Sequence, residues 1–521
     1  MGQPIDRTSW SVGAAFSLAL LLLGIAAVFA MGEKALLPVL GMGAGIILLA
    51  SLIHRPELGI LAFAALLYSN SPVNFGRVAA SPHVLGLAAT ALLAVSVLVE
   101  VYVKRRGWIL DHAFLMMLAL VAVAVLSTLL STYPHTGLSW IITLITEGVI
   151  VYLFLINAIR RITTLKRILW VLLAVCTVMS AMAAYQELTG SYEQSFLGFA
   201  QRNTERGLGD RAGEGDGLIR SRSRLHSVYR ARGPMGDPNR FGQVLLVLVP
   251  LGVILATGSG SRGTRLLAGA CTSALLVGVF LTYSRGTMLM LAAISVGLLL
   301  LGCLRKRDLA FGALTAVIVV AIAAPGMTRR LDSIRGVQSL FSDESRVEAD
   351  GATTGRVTEM LAALHAFRDH PLLGLGPGNY TPHYSVQYMS NPEIAFRIRD
   401  TQRRAHSLYI ELAAEMGIVG LLVFLTIPAW LALRLWRLRV YWLHRDRERA
   451  MLASAFLLAL VAYLGTAVFL HLAFQRYYWF LIGLVGTSVH LLSQPGAQAT
   501  GSLVNEIRNR DGKVVPREWY D

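Results

Sequence analysis

Arg403-Arg404-Ala405-His406-Ser407-Leu408-Tyr409 runs on through Glu411, Glu415, Gly417 and Gly420 into an apolar stretch. Two arginines and a histidine stand at the start of a run long enough to cross a bilayer, so a charged, water-facing segment returns to lipid here. Ionisable side chains are costly at the bilayer centre. At such a polar mouth they are tolerated, and they are placed to act on a molecule held in the membrane.

The same pattern of polar stretch followed by apolar run recurs along the chain. Of its 521 residues, 55% are hydrophobic and 15% charged, a balance that excludes an ordinary soluble domain. Apolar runs fall at Val12–Met31, Leu36–Leu52, Leu58–Tyr68, Val84–Val103, Ala113–Leu130, Ile141–Ile159 and Ile168–Leu188. The second half adds Phe241–Ala256, Leu266–Thr282, Met288–Leu304, Leu309–Pro325, Leu408–Trp430, Met451–Leu470 and Tyr477–Leu492. The expected fold is an all-α polytopic membrane protein with about 12–14 transmembrane helices. Val28 and Ala30 are small enough for a signal-peptide cleavage site, but in so polytopic a chain a retained first helix is expected. Cys176, Cys271 and Cys303 all lie inside apolar runs, without metal spacing, and read as packing residues.

The net charge of +16 suits anionic lipid better than nucleic acid, because no nucleic-acid signature interleaves with it. Lys104, Arg105, Arg106, Arg160, Arg161, Lys166, Arg167, Arg262, Arg265, Arg305, Lys306 and Arg307 fall in alternate short loops. Arg434, Arg437, Arg439, Arg445, Arg447, Arg449 and the tail arginines join them on the same side. Lys and Arg accumulate on the cytoplasmic side, so both termini are expected there. The two long hydrophilic segments then face the periplasm or exterior. The expected organisation is an N-terminal bundle (1–188), a periplasmic loop (189–240), membrane helices (241–325), a large periplasmic loop (326–405), C-terminal membrane helices (406–492) and a cytoplasmic tail (493–521).

Within the large loop, Val357, Met360, Leu361, Leu364 and Phe367 recur at helical spacing, and Pro371 ends the run. Leu373-Gly374-Leu375-Gly376-Pro377-Gly378-Asn379-Tyr380 follows as a tight turn without the Gly-Lys-Ser/Thr of a phosphate-binding loop. His365, Asp369 and His370 lack metal spacing, and neither a metal nor another cofactor is expected.

Five places carry candidate chemistry. Arg232 sits in the turn before a span, as a headgroup anchor or as a fork of donors for phosphate. Tyr283-Ser284-Arg285-Gly286 joins two spans almost without a loop, so Arg285 has little freedom to reach solvent. Gly355-Arg356 opens the loop helix, where an arginine and bare N–H groups favour an anion or are simply solvated. His406, beside Arg403 and Arg404, is either a satisfied histidine at a helix start or a general base. Arg476, with His471 and Gln475, either lines the same cavity or anchors at the interface beside Tyr477, Tyr478 and Trp479.

Taken together, several short motifs resemble those of the O-antigen ligase and O-antigen polymerase superfamily. They are Arg232-Gly233-Pro234-Met235-Gly236-Asp237-Pro238-Asn239, Ser284-Arg285-Gly286, Gly355-Arg356 with Pro371-Leu372-Leu373-Gly374-Leu375-Gly376, and Ala405-His406-Ser407-Leu408-Tyr409 with Glu415-Met416-Gly417-Ile418-Val419-Gly420. Ser407 stands where members of that family usually have Asn. The resemblance implies a C-type glycosyltransferase-like membrane enzyme of bacterial surface-polysaccharide assembly, in the inner membrane. It would take an undecaprenyl-diphosphate-linked glycan donor and a glycan or lipid acceptor, alongside other polysaccharide-assembly proteins. It further implies that Arg232 and Arg285 grip the diphosphate while His406 activates the acceptor hydroxyl. Tyr283, Arg356, Arg403, Arg404 and Arg476 would be substrate-binding. A protein O-oligosaccharyltransferase shares these motifs. A transporter or flippase of the same lipid is the other alternative, although the ionisable groups gather at one face rather than at the midplane.

Overall fold

The computed structural model describes residues 51–52, 54–78, 82–202, 230–304, 351–391, 402–471 and 475–494. The expected spans Val12–Met31 and Leu309–Pro325, nearly all of Leu36–Leu52, and the tail lie outside the described residues. The chain opens with α1 (Glu57–Tyr68), α2 (Ser71–Val78) and α3 (Pro82–Leu98, continued by a wide turn at Val99–Val103). Next come α4 (His112–Leu129), α5 (Pro134–Ala158) and α6 (Ile162–Thr189). A short ribbon, β1 (Gln201–Arg202) antiparallel to β2 (Ala231–Gly233), leads into α7 (Pro238–Thr257), α8 (Arg262–Leu281) and α9 (Arg285–Leu300). α10 (Gly351–Asp369) stands in the second long polar segment, and α11 (Leu408–Trp442), α12 (Arg447–Thr466) and α13 (Gln475–Ser493) complete the bundle.

Among the described residues, seven helices are long and apolar enough to cross a membrane: α4 to α8, α11 and α12. The protein is therefore an all-α polytopic membrane protein. Aspartate and serine start several of these helices by accepting from first-turn amides. Asp111 does so for α4, Asp237 for α7, Ser261 for α8 and Asp446 for α12. α7 is the central helix, packed against α8 and α12 and buried along most of its length.

The two ends of the bundle differ in chemistry. At one end the basic short loops close on acids and carbonyls. Lys104 and Arg106 reach Glu100, Lys166 and Ser259 reach Glu448, and Arg167 reaches Glu57. Arg439 donates to the Leu301 carbonyl, Arg447 to that of Gly302 and Arg449 to that of Gln494. At the other end lie β2, the Thr282–Arg285 corner, the foot of α10 and the start of α11. The helix beginning at Leu408 runs twelve residues beyond the expected Trp430. Along and just beyond its last turns Arg434, Arg439 and Arg445 lie over the Trp430, Trp436 and Tyr441 rings.

One expectation is corrected here. Tyr477, Tyr478 and Trp479 are core residues rather than an interfacial belt, at 4%, 0% and 0% exposure, packed with Tyr68, Phe424 and Tyr463. α10 exists as expected, and the face opposite its apolar stripe is the buried one. Thr358, Glu359, Ala362, Ala363 and Ala366 are inside, whereas Val357, Met360, Leu361, Leu364 and Phe367 are half-buried. Small side chains let α10 approach the start of α11 closely, which the larger apolar stripe would prevent.

α11 is not one continuous helix. Gly417 has φ +62° and ψ −167°, a conformation open to glycine alone, and the backbone groups freed on either side bond the turn at 371–376. Leu375 N–H donates to the Ala414 carbonyl and Gly376 N–H to that of Glu415, both at 2.9 Å. In return Ile418 N–H donates to the Pro371 carbonyl at 2.8 Å. A Cβ at Gly417 would collide with the Leu372 carbonyl oxygen. Gly417→Ala is therefore expected to destabilise the protein by about 2–4 kcal/mol and to lower the thermal midpoint in detergent. An unchanged midpoint would contradict the broken-helix geometry.

Candidate active site

The Gly417 break holds the foot of the large loop against the first turns of α11, and the arginine-histidine segment precedes those turns. Arg404 is clamped to Glu411 through both Nε and its terminal nitrogen, and the Ala405 amide donates to the same carboxylate at 3.2 Å. Glu411 and Glu415 are both buried, and the Gly378 and Tyr380 amides donate to Glu415. Leu408 N–H donates to the Ala467 carbonyl at 3.0 Å and the Tyr409 hydroxyl to that of Leu464 at 2.7 Å, tying this start to the end of α12.

His406 is held by this frame in the left-handed region, with φ +48°. For a side chain other than glycine or asparagine that conformation is strained, and such strain gathers at functional sites. Its Nε2 lies 3.2 Å from Oε2 of Glu359, a buried residue of α10. Its ring meets His471 edge to face with centroids 5.7 Å apart. His471 is in turn held by Arg240, from the first turn of α7, whose terminal nitrogen lies 2.9 Å from Nδ1 and donates to the His471 carbonyl at 2.7 Å.

Burial is the main force on the His406 imidazole, pushing its pKa down to about 3. The arginines Arg356, Arg240 and Arg403 add to it, and Asp237 opposes. His471 is pushed well below its usual range by burial first, then by Arg404, Arg240 and His406. Both rings are neutral at pH 7, with the permanent positive charges of Arg240, Arg356 and Arg403 nearby.

Of the residues singled out in the sequence, Arg356 and Arg403 thus come to His406. Arg404 is engaged by Glu411 and acts on His471. Arg232 and Arg285 lie on adjoining segments at the same end. Arg230 links these two segments, donating to the Thr282 carbonyl at 2.9 Å and to Asn239 at 2.8 Å. Tyr283 is buried with φ +47°, so the sharp corner is taken by Tyr283 and not by Gly286. Gly286 is helical, and its missing side chain makes room for Phe469. Arg476 bonds Asn70 at 2.6 Å and faces Glu147, while Asn70 donates to the Pro234 carbonyl at 2.8 Å. Arg240 and Glu359 escaped sequence reasoning. An arginine in the first turn of an otherwise uncharged span was the available signal for the first. Nothing local marked the second.

A protein-family model described as O-antigen ligase matches residues 270–425. Over this stretch the chain is similar to the O-antigen ligase and polymerase superfamily. A search of curated proteins found no match. The matched stretch carries Arg285, Arg356, Glu359, Arg403, Arg404 and His406. Arg232 and Arg240 precede it, and His471 and Arg476 follow. The family implies glycosyl transfer between a lipid-linked glycan and an acceptor.

The pH dependence has a definite sign. An unfolded chain binds a proton at His406 near pH 6.5, whereas the folded one resists it down to about 3. Stability is therefore full above about pH 6.5 and falls as the solution is acidified through that window. His406→Asn, which tolerates the left-handed backbone, is expected to flatten this acid loss in thermal unfolding series between pH 7 and 4. An identical slope in both proteins would contradict a buried neutral imidazole.

Proposed function

We propose that the protein transfers a glycan from an undecaprenyl-diphosphate donor to an acceptor hydroxyl on the periplasmic side of the bacterial inner membrane, as an O-antigen ligase or polysaccharide polymerase. What supports this most is the convergence on His406 of arginines from three distant segments, Arg240, Arg356 and Arg403, away from the basic short loops. The acceptor oxygen attacks the anomeric carbon of the donor sugar. The bond from that carbon to the diphosphate oxygen breaks, and its electron pair leaves with undecaprenyl diphosphate. The acceptor proton passes to His406.

Negative charge grows on the departing diphosphate, and guanidinium groups fixed before the reaction stabilise it without reorganising. Arg232 and Arg285, on the linked segments beside the site, serve this role, with Arg356 and Arg403 nearer the imidazole. A base with so depressed a pKa is weak in the empty site. The bound diphosphate offsets the arginine field and raises the basicity of His406 when the acceptor must lose its proton. Proton transfer is thereby tied to donor occupancy.

The test uses the full-length protein in proteoliposomes with an undecaprenyl-diphosphate-linked glycan. His406→Ala and Arg285→Ala are each expected to lower transfer on the order of a hundredfold or more. In cells, the lipid-linked glycan should accumulate on the outer leaflet. Trapping of that lipid on the cytosolic leaflet would instead support a flippase.

A further inference from the structure

Glu359 is a carboxylate at 2% exposure in a helix whose other buried side chains are alanine, threonine and glycine. Burying a carboxylate is costly unless hydrogen bonds recompense it, so its surroundings need an account. Its Oε2 lies 3.2 Å from Nε2 of His406, 47 positions along the chain. Arg356 stands one turn earlier on the same helix face. The hydroxyl of Tyr380, itself fully buried, donates to the Glu359 carbonyl at 3.4 Å and holds this turn of α10 in place.

An imidazole with one nitrogen hydrogen-bonded to a carboxylate has its tautomer fixed: the bonded nitrogen carries the hydrogen and the other keeps the lone pair. We infer that Glu359 is a positioning residue, its carboxylate accepting Nε2–H of His406 so that Nδ1 presents its lone pair to the acceptor hydroxyl. This rests on the reading of His406 as the base. The groups facing the imidazole are Glu359 and Arg356 from α10, Asp237 and Arg240 from the start of α7, His471 after α12, and Arg403 from its own segment. Of these, Glu359 is the carboxylate within hydrogen-bond distance. The arrangement also explains why α10 buries alanines rather than its larger apolar residues. A closely packed helix brings the carboxylate within reach of a histidine at the membrane mouth.

The experiment compares wild type, Glu359→Gln and Glu359→Asp as full-length proteins in nanodiscs. Nitrogen NMR with labelled histidine reads the tautomer, and the His406→Asn spectrum assigns the resonance. Wild type should show hydrogen on Nε2. Glu359→Gln should show a mixture of tautomers and lose about ten- to a hundredfold in kcat, with KM for the lipid-linked donor nearly unchanged. Glu359→Asp, which keeps the charge, should recover part of that loss and of the tautomer preference. If Glu359→Gln fails to fold, Glu359→Asp carries both readouts, with a partial loss expected. An unchanged tautomer, or a loss confined to KM, would overturn the inference. Should His406→Asn keep full activity, the base assignment falls. The tautomer result would then still decide whether Glu359 orients the ring.

Discussion

Backbone hydrogen bonds across the break at Gly417 are the interaction on which the rest of the molecule depends. A transmembrane helix ordinarily satisfies its own amides and carbonyls, and an interruption is tolerated only where other backbone takes them up. Here the turn at 371–376 does so, with Leu375 and Gly376 donating to the carbonyls of Ala414 and Glu415. The large polar loop is thereby fastened to the membrane bundle at a fixed register. The register sets where Glu411 meets Arg404, where α10 lies, and hence where Glu359 meets His406.

The electrostatics follow from that placement. A buried imidazole among arginines is neutral, and a neutral imidazole accepts a proton. The same arginines offer a diphosphate its counter-charge. Two demands of glycosyl transfer from a lipid diphosphate, stabilising the leaving group and deprotonating the acceptor, would thus be met by one cluster at one end of the bundle. The opposite end has a different logic, with basic side chains that close short loops onto acids and carbonyls and leave the helices anchored.

Much of this was legible in the sequence, because hydropathy and helix-start residues are local. The spans that fall in the described residues are helices. The Tyr283–Gly286 corner is as tight as its lack of loop implied, and His406 stands directly before the first turn of α11. What stayed hidden were relations between distant segments. Gly417 looked like one glycine in an apolar run, since nothing nearby shows that the turn at 371–376 bonds across it. The stripe of large residues marked α10 as a helix, but only the packing shows that Thr358, Glu359 and the alanines of the opposite face lie inside. Glu359 had no local mark at all. Tyr477, Tyr478 and Trp479 have the composition of an interfacial belt, and only packing against Tyr68, Phe424 and Tyr463 shows them to be core.

The central claim is that the arginine-histidine cluster occupies the end of the bundle opposite the cytosol. Single cysteines placed at exposed positions of the two ends, His383 and Arg445, in a protein lacking Cys176, Cys271 and Cys303, test it most directly in intact cells with a membrane-impermeant maleimide. Labelling is expected at position 383 without permeabilisation and at position 445 only after it. The reverse pattern would put the cluster on the cytosolic surface and contradict the account.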